Sequence, residues 1–387
     1  MLEAMSMVVF PYKADDPDVA VANLATAASH PRVRRVVAVG ATEGPLLDRV
    51  RRGAEAVARE SDADVEVVVQ ERIGDRRPGK GDGMVTGMRL FLASDEERLH
   101  FYDADITNFD TSWIDGAEEA VDTGFPVARH YFPRASTDAM ITWLITRPLF
   151  AIGHPRTELW KIRQPLGGEL LVTRPVVEEL AASDFVTRRS DWGIDTAITY
   201  AIAAGGHAIY EHYVADGKQH ALYGSLAELS EMVWECFEAA ADICGFSSPP
   251  PFQHHIEPEA PAPPEIAHKV GYDVERTIHL LGADWTPEEV EAAGSFPSRV
   301  AEPLLENRHR PTFAFLDADT WYDALTHLLA RYRPEPAWRR LLFRLWVARV
   351  LAYTTTDALT GHAEAMRRLE STVASYAARS GNREAGD

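Results

Sequence analysis

The chain has 387 residues, 46% hydrophobic and 25% charged, with a formal charge of −20. That length gives room for a large domain plus a smaller one, and the acidity argues against a general nucleic-acid binder, because neutralising phosphates needs a basic face. No run of about 18 apolar residues occurs, so no membrane span is expected, and the opening "MLEAMSMVVFPYK" has no signal-peptide features. The two cysteines, Cys236 and Cys244, fall two helical turns apart in "VWECFEAAADICGF". That separation is too long for a disulfide, and a reducing, cytoplasmic setting is expected.

The N-terminal half alternates. "MSMVVFPY" predicts a strand, and "DDPDVAVANLATAASH" a helix with Asp15 or Asp16 as N-cap and Pro17 in the first turn. "RRVVAVG" and "DVEVVVQE" predict strands around the helix "GPLLDRVRRGAEAVARES". "GDGMVTGMRLFLA" is a helix, "RLHFYDAD" a strand, "TSWIDGAEEAVDTG" a helix with a Thr or Ser cap, and "PVARHYF" a strand. Such alternation predicts an α/β fold with a mainly parallel sheet covered on both faces. Its ligands would bind outside the carboxyl ends of the strands.

Beyond about Ala135 the pattern loosens. "TDAMITWLITRPLFAI" reads as a helix, "GGELLVTRPVVEELAA" as a strand then a helix, and "SDWGIDTAITYAIAAGG" as a helix. "HAIYEHYV" is a strand and "SLAELSEMVWECFEAAADI" a helix. Residues 246–264 hold seven prolines and predict a stiff, extended connector, with His254 and His255 solvated. After it the pattern is helical throughout.

Chemistry concentrates in a few places. Asp103 and Asp105 follow a predicted strand, and side chains two apart on a strand point the same way. Two carboxylates there suit Mg2+ or Mn2+ shared with substrate phosphates, or a turn that caps the next helix; spacing alone leaves both open. A second Asp-Ala-Asp at 317–319 runs straight into a helical pattern and reads as an N-cap. "QERIGDRRPGKGDGM" is a Gly-rich basic loop opening a helix, where N–H groups attract anions. Lys80, one of only five lysines, lies there, and the glycine spacing is not that of a P-loop. "FPYK" ends the first strand at Pro11 and brings Tyr12 and Lys13 to the same edge. Arg134 precedes a helix expected to start at Ser136 or Thr137, on which Asp138 and Thr142 would share a face. Asp195 falls in the first turn of a helix, and His220 and Tyr223 lie in the loop "DGKQHALYG".

Taken together, "VVFPYK", "QERIGDRRPGKGDGM", "FYDADIT", "RHYFPRASTDAMITW", "QPLGGELL", "RRSDWGIDT" and "GKQHALYG" resemble the mannosylglycerate synthase family. The resemblance implies a Rossmann-like, A-type glycosyltransferase fold with a C-terminal α-helical region. Its domains would be 1–245 for nucleotide-sugar binding and catalysis, 246–264 as connector and 265–387 as the helical domain. It implies a retaining enzyme that moves mannose from GDP-mannose to D-glycerate, making a compatible solute. Asp103, Ala104 and Asp105 match the Asp-X-Asp motif, with Asp105, His220 and Asp103 around a divalent metal, Mg2+ or Mn2+. Pro11, Tyr12, Lys13, Gln70 and Lys80 match donor-binding positions. Arg134, Asp138, Thr142, Leu166 and Gly167 match the acceptor site. Asp195 and Tyr223 match positions near the transferred sugar, and the catalytic set is Asp195, Arg134, Tyr223 and Lys80. Tyr12 stands where the family pattern has phenylalanine.

Alternatives are a transferase using GDP-glucose, 3-phosphoglycerate or another 2-hydroxy acid such as lactate or glycolate, and a non-catalytic nucleotide-sugar binder. "FPRASTD" offers no extra basic residue for a phosphorylated acceptor. The apolar C-terminal helices either cover the catalytic domain or form a homo-oligomer contact.

Overall fold

The computed structural model of the chain describes residues 4–13, 15–220, 225–306 and 308–384. In chain order, β1 (Ser6–Tyr12), α1 (Pro17–Ala28), β2 (Val33–Gly40), α2 (Pro45–Glu60), β3 (Asp64–Val69), α3 (Lys80–Leu92), β4 (Arg98–Phe101), α4 (Thr111–Asp122) and β5 (Val127–Tyr131) alternate as the sequence predicts. A π-helical turn at Thr142–Thr146 leads into α5 (Arg147–Gly153). Then come β6 (Leu170–Thr173), α6 (Arg174–Ala182), α7 (Asp184–Thr187), α8 (Gly193–Ala204), β7 (Ile209–Tyr213), α9 (Ser230–Cys244) and β8 (His254–Ile256). The remainder is helical: α10 (Pro264–Ala267), α11 (Val274–Leu281), α12 (Pro287–Gly294), α13 (Ser298–Glu306), α14 (Ala318–Arg331), α15 (Pro336–Thr355) and α16 (His362–Glu384).

The chain forms two compact units, and both are discontinuous. Unit 1 comprises residues 1–133, 162–221 and 249–261. Its sheet has the order β3-β2-β1-β4-β6-β5-β7-β8. Pairings are parallel except at β6, which runs antiparallel to both β4 and β5. That reversal decides where the site lies. The residues just before β6 sit at the same edge as those just after β4, because Phe101 pairs with Leu170. The strands read as apolar runs because helices cover them. Leu24 of α1 and Val50 of α2 are fully buried, each contributing about 1.5–3 kcal/mol relative to exposure. Asp16 caps α1 by accepting from Asp18 N at 2.9 Å. Asp110, rather than a Thr or Ser, caps α4. It precedes the helix in extended backbone, leaving Thr111 already helical.

Unit 2 comprises residues 134–161, 222–248 and 262–387. Its core is α15, which buries Leu341, Leu345, Trp346 and Leu351. Two indoles are anchored to carbonyls: Trp321 donates to Leu144 O at 2.8 Å and Trp346 to Met140 O at 3.3 Å. The second Asp-Ala-Asp is structural, as expected: Asp317 caps α14 and accepts from Thr320 N at 2.8 Å.

Three expectations change. The Pro-rich stretch contains a strand, since β8 pairs parallel with β7. His254 is not solvated: its side chain is 3% exposed, with Nε2 2.8 Å from Glu211 Oε2. The helix expected from Ser136 or Thr137 begins only near Met140. Neither Cys236 nor Cys244 is in a disulfide, and Cys244 Sγ donates to Leu149 O at 3.2 Å. No helix among the described residues is long and apolar enough to cross a membrane.

Candidate active site

β4 ends at Phe101, so Asp103 and Asp105 lie in the turn beyond it rather than on the strand itself. Glu169 immediately precedes β6 and reaches the same edge. Lys80 opens α3, Asp195 lies in the first turn of α8, and Lys218 and His220 follow β7. All belong to unit 1.

Two lysines are threaded between three carboxylates. Lys80 Nζ lies 2.9 Å from Asp103 Oδ1 and 3.1 Å from Asp195 Oδ2. Lys218 Nζ lies 2.5 Å from Asp103 Oδ2 and 2.6 Å from Glu169 Oε1. Burial works against every charge here, and the pairing decides the outcome. Burial pushes the Asp103 carboxyl up, but the ammonium groups of Lys218 and Lys80 hold it well below the usual carboxylate range. Burial likewise works to lower Lys80, yet Asp103, Asp195 and Glu169 raise it well above its ordinary value. The pairing therefore favours the cationic form of Lys80. Asp195 is raised by burial, with Lys80 opposing. Its Oδ1 is buried without a hydrogen-bond partner among the described residues.

Around this core the backbone comes close, and glycine permits it. A Cβ at Gly168 would fall 2.7 Å from Asp103 Oδ1 and closer still to Lys80 Nζ. A Cβ at Gly79 would collide with Asp191, which accepts from Lys80 N at 3.2 Å and pairs with Arg77 at 2.8 Å. Asp82 folds the basic loop back onto α3, accepting from Ile73 N at 3.2 Å and Gly74 N at 2.8 Å.

The donor positions lie beside it. A Cβ on Gly83 would stand 3.4 Å from both Pro11 Cβ and Gln70 Oε1, so these two side chains flank the start of α3. Gln70 Nε2 is a buried donor with no partner among the described residues. Tyr12 is buried, and its hydroxyl donates to Asp15 O at 2.9 Å. That bond uses the atom by which it differs from phenylalanine. Lys13 is exposed at the strand end.

Asp105 and His220 converge: Oδ2 and Nδ1 are 3.8 Å apart, too far to be hydrogen-bonded to each other. Burial raises the Asp105 carboxyl; Lys218 opposes that, while Asp103 and Asp15 reinforce it. Asp15 is raised by burial and by Asp103 as well. Five carboxylates (Asp15, Asp103, Asp105, Glu169, Asp195) thus face three ammonium groups, those of Lys80, Lys218 and Lys13. A carboxylate and an imidazole in a locally over-acidic edge fit a divalent cation that draws its remaining ligands from phosphate and water. No cluster of three or more His, Cys, Asp or Glu suited to a metal exists among the described residues.

Arg134, Asp138 and Thr142 belong to unit 2. Arg134 Nη1 donates to Asp138 Oδ2 at 2.8 Å. Asp138 precedes the helix, so it does not share a helix face with Thr142. Instead Ala139 adopts φ 53°, a left-handed conformation that costs a non-glycine residue energy. Thr142 is buried and begins the π-helical turn. Leu166 and Gly167 lie in unit 1, in the segment before β6. Tyr223 lies outside the described residues.

The family model described as "Mannosylglycerate synthase, GT domain" matches residues 6–242. That described as "Mannosylglycerate synthase C-terminal domain" matches residues 266–373. The chain is 47% identical over 374 residues to the mannosylglycerate synthase of Rhodothermus marinus, covering 96% of this chain and 94% of that one. The chain belongs to the mannosylglycerate synthase family. The same name is carried by a relative from Selaginella moellendorffii, 40% identical over 95% of this chain and 89% of that one. As a mannosylglycerate synthase family member, the chain is a glycosyltransferase that makes mannosylglycerate.

Its fold is similar to glucosyl-3-phosphoglycerate synthase from Mycobacterium tuberculosis solved with Mn2+, UDP-glucose and phosphoglyceric acid. The TM-score is 0.52 at 19% identity, covering 64% of this chain and 82% of that one. The same enzyme with Mg2+ and UDP gives a TM-score of 0.51 at 19% identity, covering 64% and 81%. These likenesses show the A-type glycosyltransferase fold.

Sequence reasoning missed Lys218 and Glu169 as site residues. Lysine scarcity was the available signal for Lys218. Glu169 gave none, because only the antiparallel β6 brings it to this edge.

Proposed function

We propose that the chain is a retaining enzyme that moves mannose from GDP-mannose to the 2-hydroxyl of D-glycerate. It works in the cytoplasm with Mg2+ or Mn2+. The observation that carries this reading is the paired ammonium groups of Lys80 and Lys218 within an excess of carboxylates at the sheet edge. A nucleoside diphosphate needs fixed positive charge, and a chain of net charge −20 has to concentrate it.

Asp105 and His220 would hold the metal, which when bound neutralises charge on the diphosphate leaving group. Asp103 fixes Lys80 and Lys218 in place. Pro11, Tyr12, Gln70 and Ala104 border the donor, and Lys13 adds charge from the end of β1. Lys80 stabilises negative charge as GDP departs. Asp195 Oδ1, unpartnered among the described residues, would accept from a hydroxyl of the transferred sugar. Tyr223 keeps its family role near that sugar.

Arg134, braced by Asp138, would take the glycerate carboxylate as a charge-assisted pair, with Thr142 close to it in sequence. The backbone at Leu166 and Gly167 would hold the hydroxyl end. In the reaction the anomeric C1–O bond to the β-phosphate breaks and a C1–O bond to glycerate O2 forms. The hydroxyl proton passes to a phosphate oxygen of GDP, so front-side attack gives retention. Turnover by Asp195→Ala with no trapped sugar-enzyme adduct would exclude Asp195 as a nucleophile.

The test is a donor and acceptor panel followed by GDP or UDP release. GDP-mannose with D-glycerate should exceed GDP-glucose, UDP-glucose, 3-phosphoglycerate, lactate and glycolate by about tenfold or more in kcat/KM. Preference for UDP-glucose with 3-phosphoglycerate would overturn the proposal.

A further inference from the structure

A buried cation outside the lysine pair is committed to backbone rather than to substrate. Arg129, on β5, is 1% exposed. Its Nη1 donates to Gln164 O at 3.0 Å and Gly167 O at 3.1 Å. Its Nη2 donates to Thr199 Oγ1 at 2.7 Å. Thr199, on α8, in turn lies 2.8 Å from Pro165 O and 2.8 Å from Asp195 O, to either of which its hydroxyl donates.

The other end of the segment is held by a buried anion. Glu211, on β7, is fully buried and accepts from Arg163 N at 2.8 and 3.0 Å and from Gln164 N at 3.3 Å. His254 Nε2 supports the same carboxylate at 2.8 Å. Residues 163–167 form no regular element. Even so, carbonyls of Gln164, Pro165 and Gly167 and amides of Arg163 and Gln164 are each met by a buried side chain. Burying a guanidinium is costly, and among the described residues this one makes no hydrogen bond to a carboxylate. A neutral side chain could fill the volume. Only a fork of N–H donors could fix two carbonyls and a hydroxyl at once.

We infer that Arg129 is a positioning residue: with Thr199 it sets the orientation of the Leu166–Gly167 backbone and so the presentation of the acceptor hydroxyl. This rests on the reading that Leu166 and Gly167 meet the acceptor. The shared Thr199 ties that segment to the same turn of α8 that carries Asp195. Arg129 touches no reacting atom. Its effect falls on acceptor placement, where errors near 1 Å cost about a hundredfold, and not on donor binding.

The experiment compares the full-length wild type with Arg129→Lys and Thr199→Val. It measures KM for D-glycerate, KM for GDP-mannose and the thermal midpoint. Arg129→Lys keeps the charge but loses the fork. It should raise the glycerate KM about tenfold or more while the GDP-mannose KM changes by less than about twofold. Thr199→Val leaves Arg129 in place, removes the Pro165 link and should shift the glycerate KM in the same direction by about threefold. It decides the matter if Arg129→Lys does not fold. Unchanged glycerate KM in folded variants, or both KM values rising together, would overturn the positioning role while leaving the proposed reaction intact. A wild type that turns over GDP-mannose without responding to D-glycerate would overturn both.

Discussion

Lys218 donates to Asp103 Oδ2 at 2.5 Å, and the same ammonium group reaches Glu169 Oε1 at 2.6 Å. Glu169 is 1% exposed and Lys218 9%. Asp103 has a second cation in Lys80, but Glu169 depends on Lys218 for its short contact. Lys218→Met should therefore cost about 3–5 kcal/mol in denaturant unfolding, the usual result of leaving a buried charge alone. The Lys218→Met, Glu169→Met double variant should recover most of it. A single variant within about 0.5 kcal/mol of wild type would remove the ion pair from the account.

Gly168→Ala tests the close approach behind the lysines. The added methyl would push into Lys80 and Asp103, and Lys80 has little freedom because Asp195 holds it too. Turnover should fall about a hundredfold. Gly294, at the end of α12, has nothing within 4 Å of a built Cβ. Gly294→Ala should leave activity unchanged and stabilise by up to about 1 kcal/mol. Equal activity in the two variants would contradict the crowding.

Stability should fall in acid, in two stages. His130 packs among Tyr102, Trp113 and His212, and burial, with His212 and His100 nearby, holds its imidazole well below 6.5. The unfolded chain binds the proton that the fold refuses, so stability rises with pH there. His130's contribution is full above pH 6.5 and is lost progressively as pH falls below it. Burial works to raise Glu118, but His100, Ser6 and Arg98 hold it far below its ordinary 4.5. Its contribution is full above pH 4.5 and is lost as pH falls below that. His130→Phe should flatten the upper stage, worth about 2 kcal/mol between pH 7 and 5. Glu118→Gln should flatten only the lower one. Unfolding free energies measured at stepped pH would check both, and a wild-type curve flat between pH 7 and 5 would contradict the first.

Asp105→Ala and His220→Ala should each weaken Mn2+ binding, read by electron paramagnetic resonance with GDP present, by about tenfold to a hundredfold. Tyr12→Phe should leave it unchanged, because the Tyr12 hydroxyl is spent on Asp15 O. Unaltered Mn2+ affinity in both ligand variants would move the metal elsewhere.

The alternating half of the fold was legible because β1 and β2 are apolar runs and α1, α2 and α4 each carry a cap or a first-turn proline. The Asp103–Asp105 turn, Lys80 and the structural role of Asp317 were legible for the same local reasons. What sequence could not carry was non-local. Glu169 joins the site only because β6 runs backwards between β4 and β5. Residues 254–256 become a strand only because β7 offers a free edge in a Pro-rich stretch. Asp138 and Thr142 have helical spacing, but the left-handed Ala139 separates them, and no residue preference announces a strained alanine.

The most direct test is the anomeric configuration of the product, followed by proton NMR from GDP-α-mannose and D-glycerate, with Mg2+ or with EDTA, for wild type and Asp105→Ala. The account predicts an α-mannoside that forms only with metal and only in the wild type. A β-mannoside, or equal product in EDTA, would contradict it.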